Sequence, residues 1–327
     1  MSTAQHIKWF SDCTMDDVDA VGGKGASLGE MYRALHKRGV LIPNGFSVTV
    51  DAYHQFVDAP VGEGAWGGVA EVEDVPGLRE EVVMQPTLRA ALNTCFANAD
   101  HEDHLEMHSR TALARALIVQ SDVPSAISEV IEEGYQQLCE EYGHGVDVAV
   151  RSSATVEDSV EASFAGQYES FLNIQGAENV VIYWKYCVAS LFTERAVIYQ
   201  LDRGMDPLAS ALAVVVMKMV RSDLACSGVM FTIDPDSGHD GVIHISSSYG
   251  LGELLVQGSV SPDNFLVWKQ GLLTGHNAIV HRHLGDKEEQ MVYAERSGDE
   301  TMVIGVTPEE RKKWTLERDE ILTLANM

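Results

Sequence analysis

The sequence predicts an α+β protein with two lobes, a helix-rich first lobe over residues 1–205 and a sheet-rich second lobe over residues 206–327. Three observations predict this class. The chain has 327 residues and is 45% hydrophobic, which is enough for a substantial core and for two lobes. Apolar residues recur mainly at helical spacing before residue 205, and short β-rich segments between turn-forming residues follow it.

The first lobe opens with a clear helical pattern. Leu28, Met31 and Leu35 fall at positions i, i+3 and i+7, and Gly39 follows as the predicted C-terminal stop. A second helix is predicted through residues 183–200, ending near Gly204. The glycine-rich, acidic stretch between them, at 59–77, is predicted to be a mobile loop.

The second lobe is predicted from short runs of β-branched and aromatic residues bounded by turn signals. These runs are residues 211–220, 226–233, 241–248 and 264–269. The segment 218–238 is interpreted as two strands joined by a short turn.

A final helix is predicted from a start signal near the C-terminus. Thr307 is the expected N-cap, Pro308 lies in the first turn and Glu310 completes a capping box. The pattern continues through Leu316, Ile321 and Leu324 without a stop signal, so we expect this chain to be a piece of a longer protein.

Charge and cysteine usage narrow the function classes. With 49 acidic against 23 basic residues the net charge is −26, which argues against a general nucleic-acid or anionic-membrane binder because the summed field repels phosphates. Any anionic ligand therefore needs a local basic pocket. The five cysteines form no CxxC pair, which predicts free thiols and a cytoplasmic location, and no export or membrane segment is apparent.

The stretch VGGKGASLGEM, residues 21–31, places Lys24 among glycines before a helix. It is not a P-loop, since Val18 stands where the first glycine belongs and Gly25 follows the lysine. It is not a dinucleotide fingerprint, since Leu28 takes the third glycine position. Glycines that let backbone N–H groups approach an anion, a helix start and a mobile charge still suit phosphate binding. The alternative is a surface turn with an exposed lysine.

A second constellation lies at residues 148–173. A strand-like segment delivers Arg151, at the predicted end of the strand, into a run of small residues, where its forked donors suit a phosphate. The alternative is a structural salt bridge to Glu157 or Asp158. A third constellation places Thr232 at a strand end and Glu253 after a glycine turn. Taken separately, each of these two segments is an ordinary turn with solvated acidic residues.

Five segments follow one another along the chain: VGGKGASLGEM, IPNGFSVT, VAVRSSATVEDSVEASFAGQYESFLN, MVRSDLACSGVMFTID and YGLGELLVQGSVSPD. In order and spacing they resemble the N-terminal nucleotide-binding region of the phosphoenolpyruvate synthase (pyruvate, water dikinase) family, over essentially the whole chain. Relatives include pyruvate phosphate dikinase, glucan water dikinase and rifampicin phosphotransferase. The resemblance implies an ATP-grasp fold in which two lobes close on ATP with Mg²⁺.

The resemblance also implies roles for single residues. Lys24 and Arg151 match two phosphate-contacting cations. Gly166 and Gln167 match a small loop over the phosphates. Thr232 and Glu253 match positions on the second lobe near phosphate and nucleotide. The segment Lys218, Met219 and Val220 matches the strand that links the lobes, whose backbone lies against adenine. Gln257 and Asp263 lie in a matching motif without an assigned role.

In the family, a diphosphate passes from ATP to a histidine on a swivelling domain, and the phosphohistidine formed from it phosphorylates pyruvate at a C-terminal barrel. No match to the phosphohistidine motif, to the barrel or to the family's main metal-binding acid occurs here, so no catalytic or metal residue is predicted in this chain. We expect it to contribute ATP binding only. The alternatives are the equivalent domain of a related dikinase or rifampicin-type phosphotransferase, or a free-standing, non-catalytic ATP-binding module.

One further motif stands apart from the resemblance. His101, His104 and His108 would share one face if the segment 101–108 is helical, and three imidazoles can bind Zn²⁺. A solvated helix face is the favoured interpretation, because zinc sites usually draw ligands from more than one element.

Overall fold

The computed structural model describes residues 6–62, 64–69, 75–154, 158–159, 162–163, 169–294 and 301–327. The chain divides into two compact units, Met1–Met219 and Val220–Met327. Helices and antiparallel sheets occur together, which confirms the predicted α+β class.

The first unit combines a cluster of helices with one five-stranded sheet. Its helices are α1 (Val18–Leu35), α2 (Val50–Asp58), α3 (Leu78–Val83), α4 (Leu88–Phe96), α5 (His104–Gln120), α6 (Ser125–Tyr142), α7 (Ala177–Ser190) and α8 (Glu194–Asp202). Its strands are β1 (Ile7–Trp9), β2 (Gly45–Val48), β3 (Val148–Ala154), the short pair β4 (Asp158–Ser159) and β5 (Ala162–Ser163), β6 (Ser170–Ile174) and β7 (Leu212–Lys218).

The main sheet of this unit is antiparallel throughout, in the order β1-β2-β7-β3-β6. Strand β7 lies at its centre, and residues 212–216 are buried. A strand covered on both faces reads as a continuous apolar run, and this explains the valine-rich sequence of β7. One large apolar core joins this sheet to the surrounding helices.

Helix α1 buries a different face from the one its apolar periodicity suggests. Its buried residues are small: Val21, Gly22, Gly25, Ala26 and Gly29. Glycines let the helix backbone approach the sheet closely, whereas Met31 is 39% exposed. The predicted stop is confirmed, because Gly39 closes the segment in a left-handed conformation.

The helix predicted through residues 183–200 is two helices, so the prediction of one continuous element is wrong. Helix α7 ends at Ser190, and Thr193 caps α8 by accepting a hydrogen bond from the amide of Ala196. A threonine that satisfies a free N–H group favours a new helix start over continuation. The end near Gly204 is confirmed, since α8 stops at Asp202.

The stretch 59–77 is anchored where the structure describes it. Trp66 is buried, and its indole N–H donates to Ser121 Oγ at 3.1 Å. Val69 is also buried, and its carbonyl accepts from Arg79 Nε at 2.7 Å. The expectation of a mobile loop therefore fails for residues 64–69, because an aromatic anchor offsets the glycine content.

The boundary between the units falls at Met219, whereas the sequence pattern changes near residue 205. The difference arises because β7 completes the sheet of the first unit. For the same reason the predicted pair within 218–238 is wrong, since β7 and the next strand belong to different sheets.

The second unit is built on a four-stranded antiparallel sheet with a separate hairpin. Its strands are β8 (Cys226–Phe231), β9 (Val242–Tyr249), β10 (Asp263–Trp268), β11 (Ile279–His283), β12 (Glu289–Tyr293) and β13 (Thr301–Gly305). Its helices are α9 (Glu253–Val256), α10 (Lys269–Leu273), α11 (Pro308–Arg311) and α12 (Arg318–Asn326). The sheet order is β11-β10-β9-β8, and β12 pairs with β13.

The C-terminal helix is interrupted, contrary to the single helix predicted. Thr307 does cap α11 by accepting from the amide of Glu310, but α11 ends after one turn. Trp314 then packs against Phe265 with ring centres 5.5 Å apart, and the amide of Thr315 donates to a buried carboxylate instead of continuing the helix. Helix α12 follows as a separate element whose residues pack on the sheet.

All five cysteines are free, as predicted; four are buried and Cys226 is half-buried. Burial raises the pKa of Cys95 to about 12 and that of Cys13 to about 11, so neither thiol ionises readily near neutral pH. In the described part of the chain, no helix is both long and apolar enough to cross a membrane.

Candidate functional site

The glycine-lysine stretch folds as a break within α1. Gly22 leaves the helical region with φ 71° and ψ 168°, so the helix restarts just before Lys24. Only glycine fits here, because a Cβ atom at this position would overlap the carbonyl oxygen of Ser153 on β3. Ser153 Oγ donates to the carbonyl of Val21 at 2.8 Å and accepts from the amide of Gly25 at 3.1 Å. One serine thus joins both sides of the break to the sheet.

Lys24 lies in the first turn after this break and reaches the same strand. Its ammonium Nζ donates to the carbonyl oxygen of Ser152 at 3.1 Å, across 128 positions of sequence. Ser152 directly follows Arg151 in β3. The structure therefore places the two cations suggested by the sequence on one strand and its neighbouring helix.

Arg151 lies within a strand and not at its end, which corrects the sequence interpretation. Strand β3 continues to Ala154 because residues 152–154 pair with the central strand β7. The Arg151 side chain is half-buried, and its Nε donates to Ser170 Oγ on β6 at 3.4 Å. Side chains two residues apart share a face of a strand, so Arg151 lies on the same face as Ser153, towards the break in α1.

Three other positions of this region lie outside what the structure describes, and a fourth is described only in part. Gly166 and Gln167, expected over the phosphates, are outside the described residues, as is Glu157. Asp158 is described only as part of the backbone of β4. The alternative interpretation of Arg151 as a structural ion-pair partner thus stays a prediction.

The segment Lys218–Val220 spans the end of β7 and the first residue of the second unit. The amide of Lys218 donates to the carbonyl of Asn44, and that of Met219 donates to the carbonyl of Asp147. Lys218 Nζ is held by Asp147 Oδ2 at 3.2 Å and by the Met219 carbonyl at 2.6 Å. Val220 has a side chain that is 59% exposed.

The two predicted residues of the second unit are both exposed. Thr232 follows the last residue of β8. Glu253 begins the short helix α9, and its carboxylate accepts from the side-chain nitrogen Nε2 of Gln257 at 3.2 Å.

Asp263 belongs to a buried polar cluster that the sequence did not reveal. It is completely buried with Lys287, and its Oδ1 lies 2.5 Å from Lys287 Nζ. The same carboxylate accepts from the amides of Gly285 and Thr315, at 2.9 Å and 2.8 Å, and from the Thr315 hydroxyl. Every one of these contacts is long-range, so no local sequence pattern signals them. Asp263 thereby fixes both the segment after β11 and the residues before α12.

The histidine motif does not form the three-histidine face considered from the sequence. Helix α5 begins at His104 with Asp103 as N-cap, so His101 precedes it. His108 Nδ1 lies 3.1 Å from Glu194 Oε2 on α8, and His104 Nδ1 lies 3.7 Å from Glu194 Oε1. Within the described ranges no group of three His, Cys, Asp or Glu side chains is arranged to hold a metal ion.

The helix broken at Gly22 holds Lys24 against β3, and the half-buried Arg151 lies on the same strand. Such a geometry can bind anionic groups. The chain belongs to the pyruvate phosphate dikinase AMP/ATP-binding domain family, whose model matches residues 18–327. Similarity to known proteins covers nearly the whole chain. The chain is 43% identical to phosphoenolpyruvate synthase of Aquifex aeolicus (strain VF5) over 321 residues, which is 98% of this chain and 34% of the relative.

Two further relatives carry the same description. Identity is 41% over 324 residues to phosphoenolpyruvate synthase of Synechocystis sp. (strain ATCC 27184 / PCC 6803 / Kazusa), covering 98% of this chain and 36% of that protein. It is 39% over 321 residues to phosphoenolpyruvate synthase of Escherichia coli (strain K12), covering 98% and 37%. The chain thus spans about a third of the length of these relatives, and the resemblance expected from the sequence is confirmed.

Proposed function

We propose that this chain binds ATP as the nucleotide-binding part of a phosphoenolpyruvate synthase, which converts ATP, pyruvate and water to phosphoenolpyruvate, AMP and phosphate. The observation that carries the proposal is the contact of Lys24 Nζ with the carbonyl of Ser152, the residue after Arg151. Two cations on adjoining elements, in a protein of net charge −26, provide the local positive field that a triphosphate requires.

Lys24 and Arg151 are assigned to the phosphates of ATP. The ammonium is a point charge on a flexible stem, whereas the guanidinium offers a planar fork that can hold two oxygens. Lys24 Nζ donates to the carbonyl of Ser152, and Arg151 Nε donates to the hydroxyl of Ser170. A phosphate oxygen carries negative charge, so it attracts these cations more strongly than a neutral carbonyl or hydroxyl oxygen does.

The remaining roles follow the family resemblance. Gly166 and Gln167 are proposed to cover the phosphates, and Thr232 and Glu253 to contact phosphate and nucleotide. The segment Lys218–Val220 is proposed to bind adenine through a backbone amide, and the hydrogen bonds of the first unit indicate which residue provides it. The amides of Lys218 and Met219 already donate to backbone carbonyls, so we assign the adenine-reading amide to Val220.

Magnesium is proposed to arrive with the nucleotide. The described side chains provide no cluster suited to a metal ion, and Mg²⁺ in nucleotide sites takes much of its coordination from substrate phosphates and water. The ion would offset charge at the phosphates. Within the described part of the chain, Lys24 and Arg151 then act by holding the phosphate oxygens in place.

The complete reaction is proposed for the whole protein only, since this chain spans about a third of the relatives' length. A phosphohistidine domain, a pyruvate-binding barrel and a cytoplasmic location belong to that proposal. The alternative is a free-standing module that binds ATP without catalysis. The similarity over 98% of this chain to proteins named phosphoenolpyruvate synthase favours the enzyme.

Calorimetry of this chain with ATP, with and without Mg²⁺, tests the binding proposal. We expect saturable ATP binding that Mg²⁺ alters, and no binding of ATP either by this chain or by the whole protein would contradict it. Pyruvate-dependent formation of AMP from ATP by the whole protein tests the reaction. ATP binding without that product would support the non-catalytic module instead.

A further inference from the structure

A basic cleft lies in the second unit, away from the residues assigned to the nucleotide. It has a volume of about 530 Å³ and is lined by Asn277, Ile279, Val280, His281, Arg282 and Arg318. These residues come from β11, the segment before it and the first residue of α12. Strand β11 is one outer strand of the four-stranded sheet, and Thr232 follows β8, the opposite outer strand.

A β-bulge turns Arg282 into this cleft. Ile279 is paired with Val267 and Arg282 with Phe265, while one extra residue, Val280, is accommodated between them. Val267 and Phe265 are buried on the face that packs against α12, so the bulge places Arg282 on that face. The Arg282 guanidinium accordingly lies over the ring of Trp314, 6.0 Å from its centre.

Arg318 reaches the same cleft from α12, where its Nη2 donates to Asn277 Oδ1 at 3.5 Å. Among the described residues, neither Arg282 nor Arg318 forms a salt bridge to a carboxylate. The chain has 49 acidic residues for 23 basic ones, yet this cleft brings two arginines together with no carboxylate partner among the described residues. Like charges that share a cleft repel, and a bound anion relieves that repulsion.

We propose that this cleft binds a small phosphorylated metabolite whose phosphate is held by Arg282 and Arg318. Guanidinium groups match phosphate oxygens in pairs, and two of them balance a dianion. The cleft volume falls in the range of small-molecule sites, so it has room for more than a phosphate ion. Ile279 and Val280 provide an apolar wall for the organic part.

The test uses calorimetry with inorganic phosphate and with glycerol phosphate. Both are titrated into the Lys24→Ala/Arg151→Ala double variant, so that phosphate binding at the proposed nucleotide residues does not contribute. We expect saturable binding that Arg282→Gln and Arg318→Gln each weaken about tenfold. Lys312→Gln removes one exposed positive charge from the same unit and is expected to leave binding unchanged. We expect glycerol phosphate to bind more tightly than phosphate.

Several results would overturn the proposal. These are phosphate binding that survives both arginine substitutions, an equal loss in Lys312→Gln, or no saturable binding of either probe. Equal affinities for the two probes would overturn the metabolite assignment. Because both arginines are exposed, the variants should keep the unfolding midpoint of the parent, and ATP binding by Arg282→Gln in the otherwise unchanged chain should equal that of wild type.

Discussion

Two half-buried cations of the first unit and one completely buried cation of the second unit are held in different ways. In the first unit, Lys24 and Arg151 remain half-buried and are bonded to a carbonyl and a hydroxyl. In the second, Lys287 is completely buried against Asp263. A half-buried cation can turn towards a ligand, whereas a completely buried pair cannot separate without a large desolvation cost. We therefore assign binding to the first arrangement and architecture to the second.

Removing Lys287 gives the largest effect that this contrast predicts. Lys287→Met leaves Asp263 buried without its cation, and we expect the second unit to lose about 3–5 kcal/mol of stability. Urea unfolding measures the loss, and hydrogen exchange assigns it to residues 220–327. The matched control Lys312→Met, at an exposed lysine, is expected to change stability by less than about 0.5 kcal/mol. An equal loss of stability in Lys287→Met and Lys312→Met would contradict the structural role assigned to the buried pair.

The break in α1 gives the next largest effect. Gly22→Ala adds a Cβ atom that overlaps the Ser153 carbonyl at a positive φ, so we expect a loss of about 3 kcal/mol and weaker ATP binding. Gly39→Ala is the control, because Gly39 also has a positive φ, 83°, but has open space around its α-carbon. The control should cost only about 1 kcal/mol and leave ATP binding unchanged.

Urea unfolding measures the stability of both variants. If Gly22→Ala loses no more stability than Gly39→Ala, close contact with β3 does not determine the break in the helix. In that case the position of Lys24 would not depend on the sheet.

The smallest effect concerns a lysine–aspartate pair of the first unit that is partly exposed. Lys8 Nζ lies 2.5 Å from Asp17 Oδ1, the same separation as in the buried pair, but the side chains are 20% and 23% exposed. We expect Asp17→Asn to cost less than about 1 kcal/mol at neutral pH. A cost matching that of Lys287→Met would mean that burial does not decide the strength of such pairs here.

The same pair predicts the direction of a pH dependence. The hydrogen bond from Lys8, followed by those from Thr14, lowers the pKa of Asp17 below its usual value, although burial opposes the shift. A carboxyl whose pKa is lower in the folded state stabilises the fold above its unfolded pKa of about 4. This contribution is lost as the pH falls through the folded pKa. Unfolding curves of wild type and Asp17→Asn should therefore converge on acidification, and a constant difference would contradict the prediction.

Sequence patterns identified the local features and missed the long-range ones. Lys24 could be proposed as a phosphate-binding residue because glycines, a charge and a helix start lie within a few residues. The role of Ser153 depends on its contact with Val21, which lies 132 positions away in the sequence, and the residues around Ser153 give no sign of it. Likewise the buried Asp263–Lys287 pair and the anchoring of Trp66 depend on residues far along the chain.

The errors in helix prediction have a related cause. Apolar periodicity favoured a continuous helix beyond Glu310, but Thr315 finds a stronger partner in Asp263 than the next helical turn provides. In α1, the face with the large apolar residues was the apparent core side, whereas close approach to the sheet requires the glycine face. Tertiary contacts thus overrode local preference at particular residues.

The most direct test of the central claim, that Lys24 and Arg151 grip the phosphates of a nucleotide, is calorimetry with ATP and adenosine on three variants. Lys24→Ala and Arg151→Ala should each weaken ATP binding by about 1.5 kcal/mol, roughly tenfold, because each removes a charge-assisted contact. Both should leave adenosine binding unchanged, and Arg38→Ala, at an exposed arginine of the same unit, should change neither. Unchanged ATP affinity in both Lys24→Ala and Arg151→Ala, or an equal loss for adenosine, would contradict the assignment.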